Sequence, residues 1–383
     1  GGQVYYLHNR VLADPRMNLS YTFGSKMKHT LRMGYGTESK LPTLDYLYPE
    51  KVYKDFYMLN AYTNEPEYRH LITYTNIFDA TNRELKANKN HKFELGYDVD
   101  YKGFSLSLTG FREKSERGFE YFKQYYPLTY DLYRTLKDGA DISGRTPQKE
   151  DYEQEQYSIF TTWSCVMNAS KVTKRGLEYR IMFPRIKPLL TTVEVNGAYY
   201  NTEYASSLPE YYYPAVKIGD KVYPYVCVYN RDARTVYNRF NSNIWFNTHI
   251  PKFKLILTNF FQIVWLNTSQ YKDNFDMIPN QYFSFDGVLH DVDDEIRRLI
   301  MADDPTVRYF KQTYQATRYA KTSKPVSLLW NIKATKEFKR GTKLSFFVNG
   351  LLDISPTYLS GTSITTREWH DPYFGLELYV NLQ

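Results

Sequence analysis

An all-β chain folded as a transmembrane antiparallel β-barrel is the fold class this sequence predicts, and three observations predict it. In segment after segment, apolar and polar residues alternate with the period of a strand that has two unlike faces. No stretch approaches the roughly 18 consecutive apolar residues of a spanning helix, so a membrane crossing has to hide its hydrophobicity in that alternation. The connections, finally, run short, long, short, long. Sandwiches and propellers have no reason to keep every second connection short. An outer-membrane barrel does, with tight turns at one end and long loops at the other, and closing the sheet satisfies every backbone group in lipid.

The elements follow in order. Met17, Leu19, Tyr21 and Phe23 alternate with Asn18, Ser20 and Thr22, and a turn at 24–28 leads to Leu31, Met33 and Tyr35. A long interval, 36–90, holds no sustained period. Phe93, Leu95, Tyr97, Val99 and Tyr101 then alternate with Glu94, Gly96, Asp98 and Asp100, and Lys102-Gly103 reverses the chain into Phe104, Leu106 and Leu108. A second long interval, 113–173, contains a predicted helix over 129–137, ended by Gly139.

The pattern restarts at Leu177, Tyr179, Ile181 and Phe183, turns at 184–188, and continues through Val193, Val195, Gly197 and Tyr199. After a Tyr-rich interval come Phe240, Ile244, Phe246 and Ile250, a turn at 251–253, and Leu255, Leu257, Phe261, Ile263 and Trp265. The interval 267–324 carries an acidic run, Asp291, Asp293, Asp294 and Glu295, which leads into a short helix over 296–301. Val326, Leu328, Trp330, Ile332 and Ala334 form the next strand, 339–342 the next turn, and Leu344, Phe346, Val348 and Leu352 its partner. Phe374, Leu376, Leu378, Val380 and Leu382 alternate with Gly375, Glu377, Tyr379 and Asn381 in the last.

The count is about eleven strands of about 9–11 residues, the length of a tilted crossing. With an odd number the first and last strands run in the same sense, whereas a closed single-chain barrel has an even count. The expectation is that residues 1–383 are the carboxy-terminal part of one larger barrel domain, whose first strand here lacks its amino-terminal partner.

Composition is consistent with half-wet strands. The chain is 42% hydrophobic yet has 39 Tyr, 23 Phe and 5 Trp beside 24% charged residues, and Tyr, Phe and Trp favour strands with one wet edge. Its net charge of +7 is scattered through turns, at Lys26, Lys28, Lys252, Lys254, Lys339 and Arg340, and forms no stripe for nucleic acid. Cys165 and Cys227 match no metal or redox spacing, and either free thiols or a disulfide fits them. The histidines form no HExxH pair, and the chain has no nucleophile elbow and no phosphate-cradling glycine loop. No enzyme, cofactor or metal is predicted.

Each face has its own expected neighbour. The apolar one, with Leu376, Leu378, Val380 and Leu382, should meet lipid, and Trp265, Trp330 and Tyr379 suit aromatic belts. The other carries Arg32, Glu94, Asp98, Asp100, Glu178, Arg180, Glu194, Lys333, Glu337 and Glu377, charges that are costly in lipid and tolerable in a wet lumen. In the long connections Tyr211, Tyr212, Tyr213, Tyr223 and Tyr225 suit stacking on sugar rings or gripping peptide side chains, or packing loops against one another. The acidic run lacks the Gly and terminal Glu of an EF-hand loop and reads as a helix start.

A set of short motifs resembles the TonB-dependent outer-membrane receptors, in particular those of Bacteroidetes. They are Leu31-Arg32-Met33-Gly34-Tyr35-Gly36 followed by Lys40-Leu41-Pro42-Thr43-Leu44 and Leu47-Tyr48-Pro49; Asn88-Lys89-Asn90 before Phe93-Glu94-Leu95-Gly96-Tyr97; and Lys174-Arg175-Gly176-Leu177-Glu178. Leu344 to Leu352 with Pro356 and Tyr358, then Pro372-Tyr373-Phe374-Gly375-Leu376-Glu377-Leu378, are similar to the family's last two strands. The resemblance implies a 22-stranded barrel occluded by an amino-terminal plug, and uptake of a scarce nutrient (glycan, peptide or chelate) across the outer membrane with energy relayed by TonB. It makes Arg32, Glu94, Asp98, Glu178, Arg180 and Glu377 the expected plug-facing residues, and a SusD-like or other surface lipoprotein a further partner. The sequence departs from the full pattern in presenting no plug and no TonB box. A passive porin or assembly barrel, and a β-rich surface adhesin or lectin, are the alternatives.

Overall fold

A computed structural model describes residues 2–7, 10–274, 276–361, 363–365 and 371–380. It is mostly β. Twelve strands form one continuous antiparallel path in which every sequence neighbour along the path is a spatial neighbour. They are β1 (Gly2–Leu7), β2 (Arg10–Phe23), β3 (Lys28–Lys40), β4 (Asn88–Tyr101), β5 (Phe104–Leu136), β6 (Tyr152–Met182), β7 (Thr191–Ser206), β8 (Arg234–Ile250), β9 (Leu255–Lys272), β10 (Ser327–Glu337), β11 (Lys343–Ile354) and β12 (Tyr373–Tyr379). The expected continuation of β12 through Leu382 lies outside the described residues. Among the described residues no helix is long and apolar enough to cross a membrane, and β12 pairs with β11 without closing onto β2.

All five expected short turns are present, and each has a local cause. Lys102 (φ 45°) and Gly103 (φ 86°) occupy the two left-handed positions of a two-residue hairpin. A one-turn 3₁₀ segment opened by Pro251 joins β8 to β9 and ends on Lys254 in the left-handed region.

Three expectations are corrected. The helix predicted over 129–137 is strand: β5 runs unbroken to Leu136, because Tyr126, Leu128, Tyr130 and Leu132 keep a period of two and pair with Thr161, Ile159, Tyr157 and Glu155 of β6. Cross-strand pairing outweighs the weak local helical preference. The intervals 36–90 and 113–173 are likewise not all loop. The β5/β6 hairpin projects far beyond the sheet, past an irregularity at Ser115/Gly118 where Arg117 is left-handed (φ 60°). A second hairpin, Val52–Ala61 with His70–Phe78, packs Leu59, Phe56 and Phe78 against it. The first wall strand also has an amino-terminal partner, since β1 pairs with Arg10 to Pro15 of β2.

The register separates two faces across the sheet. Val99, Leu106, Ile181, Val195, Ile244, Phe261, Trp330 and Leu352 are successive cross-strand partners over eight strands, β4 to β11. On that face Tyr21, Leu95 and Leu376 are 67%, 53% and 71% exposed, so this face of the sheet is an apolar band open to its surroundings. One row along the polar face runs Arg32, Gly96, Thr109, Glu178, Ala198, Asn241.

The few polar groups on the apolar face answer one another. The Tyr179 hydroxyl lies 2.5 Å from Ser242 Oγ, and Trp265 Nε1 donates to the same oxygen at 2.8 Å. Trp330 Nε1 donates to Asn259 at 3.1 Å. Tyr179 lies over Gly197, where an added Cβ would sit 2.1 Å from the Asn241 carbonyl oxygen and 2.6 Å from Tyr179 Oη. Gly197→Val should therefore displace the ring, break its hydrogen bond to Ser242, and lower the unfolding temperature of the protein. The loss is expected at about 1–3 kcal/mol, the range for overpacking.

Candidate functional site

The six charged residues assigned to the lumen side, Arg32, Glu94, Asp98, Glu178, Arg180 and Glu377, all project from the polar face. Arg32 Nε donates to Asp98 Oδ2 at 2.6 Å, and its Nη2 reaches Ser107 and Thr109 at 3.2 Å. Lys92 pairs with Glu94 at 2.6 Å and Arg180 with Glu194 at 2.8 Å, while Lys333 pairs with Glu377. Tyr200 Oη donates to Glu178 at 3.1 Å. Glycines allow large side chains to lie flat here: Arg32 covers Gly96, Phe111 covers Gly176 and Phe347 covers Gly375. The result is a face of ion pairs within and between strands, together with amides, each pair partly hydrated and worth little stability alone.

At the long-connection end the polar face opens into a groove of about 800 Å³. Arg239, Gln262 and Asn267 line it from β8 and β9, Asn331 from β10, Asp353 from β11, and Lys324 from the connection before β10. Donors and acceptors of both charges converge at the size of a small-ligand site.

Above the wall, residues from 207–233 and 273–320 form a module with its own core. Four short strands, Glu210–Tyr212, Val226–Tyr229, Gln281–Phe283 and Leu289–Asp291, pair in the order first, second, third, fourth. A helix, Asp294–Met301, covers them, and Asp293 Oδ1 accepts from the Ile296 amide at 2.8 Å as its N-cap. The acidic run thus begins a helix, as its sequence predicts.

The tyrosines divide. Tyr223 is 0% exposed at the centre of the module, among Cys227, Tyr229, Ile300 and Phe310, and its hydroxyl donates to the Thr306 carbonyl at 2.6 Å. Tyr225 packs edge-on against Tyr223, Tyr282 and Phe310. Both hold the module together; Tyr223, sealed in the core, presents no ring to a ligand, which corrects its assignment as a contact, whereas Tyr225 is half-buried. Tyr211 and Tyr213 wedge the module onto the projecting hairpin, Tyr211 against Phe122 and Tyr125, Tyr213 against Tyr125 and Phe160. Burial pushes the Tyr213 phenol up to about 12. Tyr212 alone of the five is exposed.

Sequence reasoning missed the module's charged centre. Arg231, with a side chain only 3% exposed, lies 3.3 Å from Glu210 and 3.9 Å from Asp273, donates to Gln312 Oε1 at 2.5 Å, and sits 4.8 Å from the Tyr229 ring. Tyr319 Oη donates to Asp273 at 3.0 Å, and burial, then this bond to a carboxylate, pushes its phenol up to about 12. Tyr319 also stacks on exposed Tyr314, with centroids 4.9 Å apart and planes 3° apart, and lies beside Tyr271, over which Arg318 is seated at 4.5 Å. Nothing in the composition of 267–324 sets this platform apart, since its aromatic content is no higher than that of the chain as a whole.

Comparison of the chain with family models, with curated proteins and with solved structures finds no match.

Proposed function

We propose that the chain forms part of the wall and the outer loops of an outer-membrane β-barrel receptor of the TonB-dependent kind, which captures a scarce nutrient and passes it through a plugged lumen. The observation that carries this reading is the division of one large antiparallel sheet into an exposed apolar band and an ion-paired polar face. Water on both sides would leave that band uncovered, and such a patch far exceeds what soluble monomers expose. All the tight turns lie at one end and the structured module at the other, as a barrel with external loops requires. The TonB dependence and the plug rest on the motif resemblance. On this reading the unpaired edges of β1 and β12 continue into further strands, the groove at Arg239 and Gln262 lies on the nutrient's path, and Tyr212 with the Tyr314/Tyr319 stack are first contacts for a sugar or peptide. A SusD-like lipoprotein would cover the same end.

Energised uptake is the test. Cells bearing the full-length receptor as sole route for the nutrient should accumulate it only while the inner membrane is energised, and an uncoupler should abolish uptake. Uptake insensitive to the uncoupler would identify a passive porin. Arg239→Ala should weaken capture roughly tenfold, the loss of one charge-assisted hydrogen bond. Charge reversal at Arg180 should impair plug seating and uptake while changing stability by less than about 1 kcal/mol, because its pair with Glu194 is half hydrated.

A further inference from the structure

The five short turns share a composition that barrel closure does not require. With their flanking residues, 23–28, 101–104, 183–190, 251–254 and 338–342 contain nine Lys and Arg and no Asp or Glu. Each turn carries at least one cation, and each carries an exposed aromatic ring: Phe23, Tyr101, Phe183, Phe253 and Phe338 in turn. Lys26, Lys28, Lys102, Lys187, Lys252, Lys254 and Lys339 are exposed, and among the described residues none of them has an acidic partner within ion-pair distance. Of the nearby acids, Glu194 pairs with Arg180, and Glu337 with Lys343 at 3.0 Å and His249 at 3.7 Å, while Asp100 lies across the strands from Lys28 outside ion-pair distance. The connections at the opposite end are rich in acids, Asp291 to Glu295 among them. The sheet thus ends in a rim where cations outnumber acids and which is edged by rings, directly below the apolar band.

We infer that this rim is a collar for anionic phospholipid, which gathers phosphate-bearing headgroups of the adjacent leaflet against the turns while the rings lie at headgroup depth. The inference rests on the reading of the sheet as a membrane wall. Two features select this occupant. Rings beside cations at the edge of an apolar band suit an interface, where amphipathic rings settle and cations meet lipid phosphate. The cations are also distributed one or two to a turn around the arc, which suits many small headgroups better than one compact partner.

Quenching of the lipid-facing Trp265 and Trp330 by brominated lipid reads the occupancy of the wall. The full-length protein is reconstituted with dibrominated phosphatidylglycerol or dibrominated phosphatidylcholine as competitor. Phosphatidylglycerol should bind roughly fivefold more tightly, what one lysine near an anionic surface contributes. The preference should fade in molar salt and in a variant with Lys26→Gln, Lys28→Gln, Lys102→Gln, Lys252→Gln, Lys254→Gln and Lys339→Gln. The salt response of the unaltered protein gives the same answer if that variant does not fold. Equal quenching by the two lipids, or a preference that survives both salt and the substitutions, overturns the collar and leaves the membrane wall intact. A preference abolished by about 10 mM inorganic phosphate, too dilute to screen charge strongly, means a site for the free anion and overturns it as well. No quenching by either lipid means that the wall reading has failed, and the collar with it.

Discussion

Arg231→Met should unravel the outer module while the wall remains folded. The guanidinium is buried between Glu210 and Asp273, and the Asp273 side chain is 1% exposed. Removing the cation leaves a carboxylate in a place it cannot hydrate. Breaking a buried pair in this way costs about 3–5 kcal/mol, comparable to what a small module of four short strands and one helix has in reserve. Limited proteolysis should then cut within 207–320 at protease concentrations that leave the native protein whole, while the strands of the large sheet stay resistant; on the proposed function, nutrient capture should be lost as well. The double variant Arg231→Met, Asp273→Leu should recover much of the resistance, because the buried carboxylate is removed together with its cation. Equal protease resistance in the single variant would mean that the module is held by its aromatic core alone.

A second buried pair anchors the wall where it meets the loops, on the loop side of the apolar band that begins at Met17. Asp14 is 1% exposed and accepts from Lys89 Nζ at 2.7 Å, from the Ser39 amide and hydroxyl at 2.8 Å each, and from Thr37 at 3.4 Å. Lys89 also donates to the Ala13 carbonyl at 2.8 Å. Three strands, β2, β3 and β4, are thereby tied at one point. Burial works against the charged carboxylate, but the bonds from Lys89 and Ser39 outweigh it and hold Asp14 below the usual carboxylate range. A depressed folded-state value means that the stabilisation is complete above the unfolded value of about 3.9 and is lost as pH falls through the folded one. Acid unfolding should therefore gain a component below about pH 4 that Asp14→Asn removes. Lys89→Met should cost about 3–5 kcal/mol near neutral pH in denaturant unfolding, with Asp14→Asn, Lys89→Met together costing less than Lys89→Met alone.

Much of the wall is legible in the sequence because its physics is local. Residues on the apolar face and their neighbours on the polar face alternate by necessity, and the tight turns announce themselves through Gly103, Pro251 and Gly341. The projecting hairpin is harder to read. Beyond Gly118 the strands of β5 and β6 leave the sheet, rings such as Tyr125 and Tyr130 pack on opposite faces, and the apolar-polar contrast that marks a wall strand disappears. Tyr130, Tyr133 and Leu136 then fit a helical spacing as well as a strand. β1 lacks alternation for its own reason, the adjacent pair Tyr5-Tyr6. In the module, composition alone cannot distinguish Tyr223, sealed in the core, from Tyr212 on the surface: both are tyrosines in a Tyr-rich connection. The Arg231 cluster joins two connections on either side of β8 and β9, so only the three-dimensional pairing of those strands brings its members together.

A membrane wall and a sheet with water on both sides differ in whether one face meets lipid. With Cys165 and Cys227 replaced by alanine, single cysteines placed one at a time from Phe93 to Val99 of β4 and coupled to a nitroxide would report this in reconstituted membranes. Collisions with oxygen, which concentrates in lipid, should peak at 93, 95, 97 and 99. Collisions with a water-soluble nickel chelate should peak at 94, 96 and 98, fully out of phase. A scan in which the chelate reaches Leu95 and Tyr97 as readily as it reaches Glu94 and Asp98 would contradict the account, since it would mean a sheet with water on both sides.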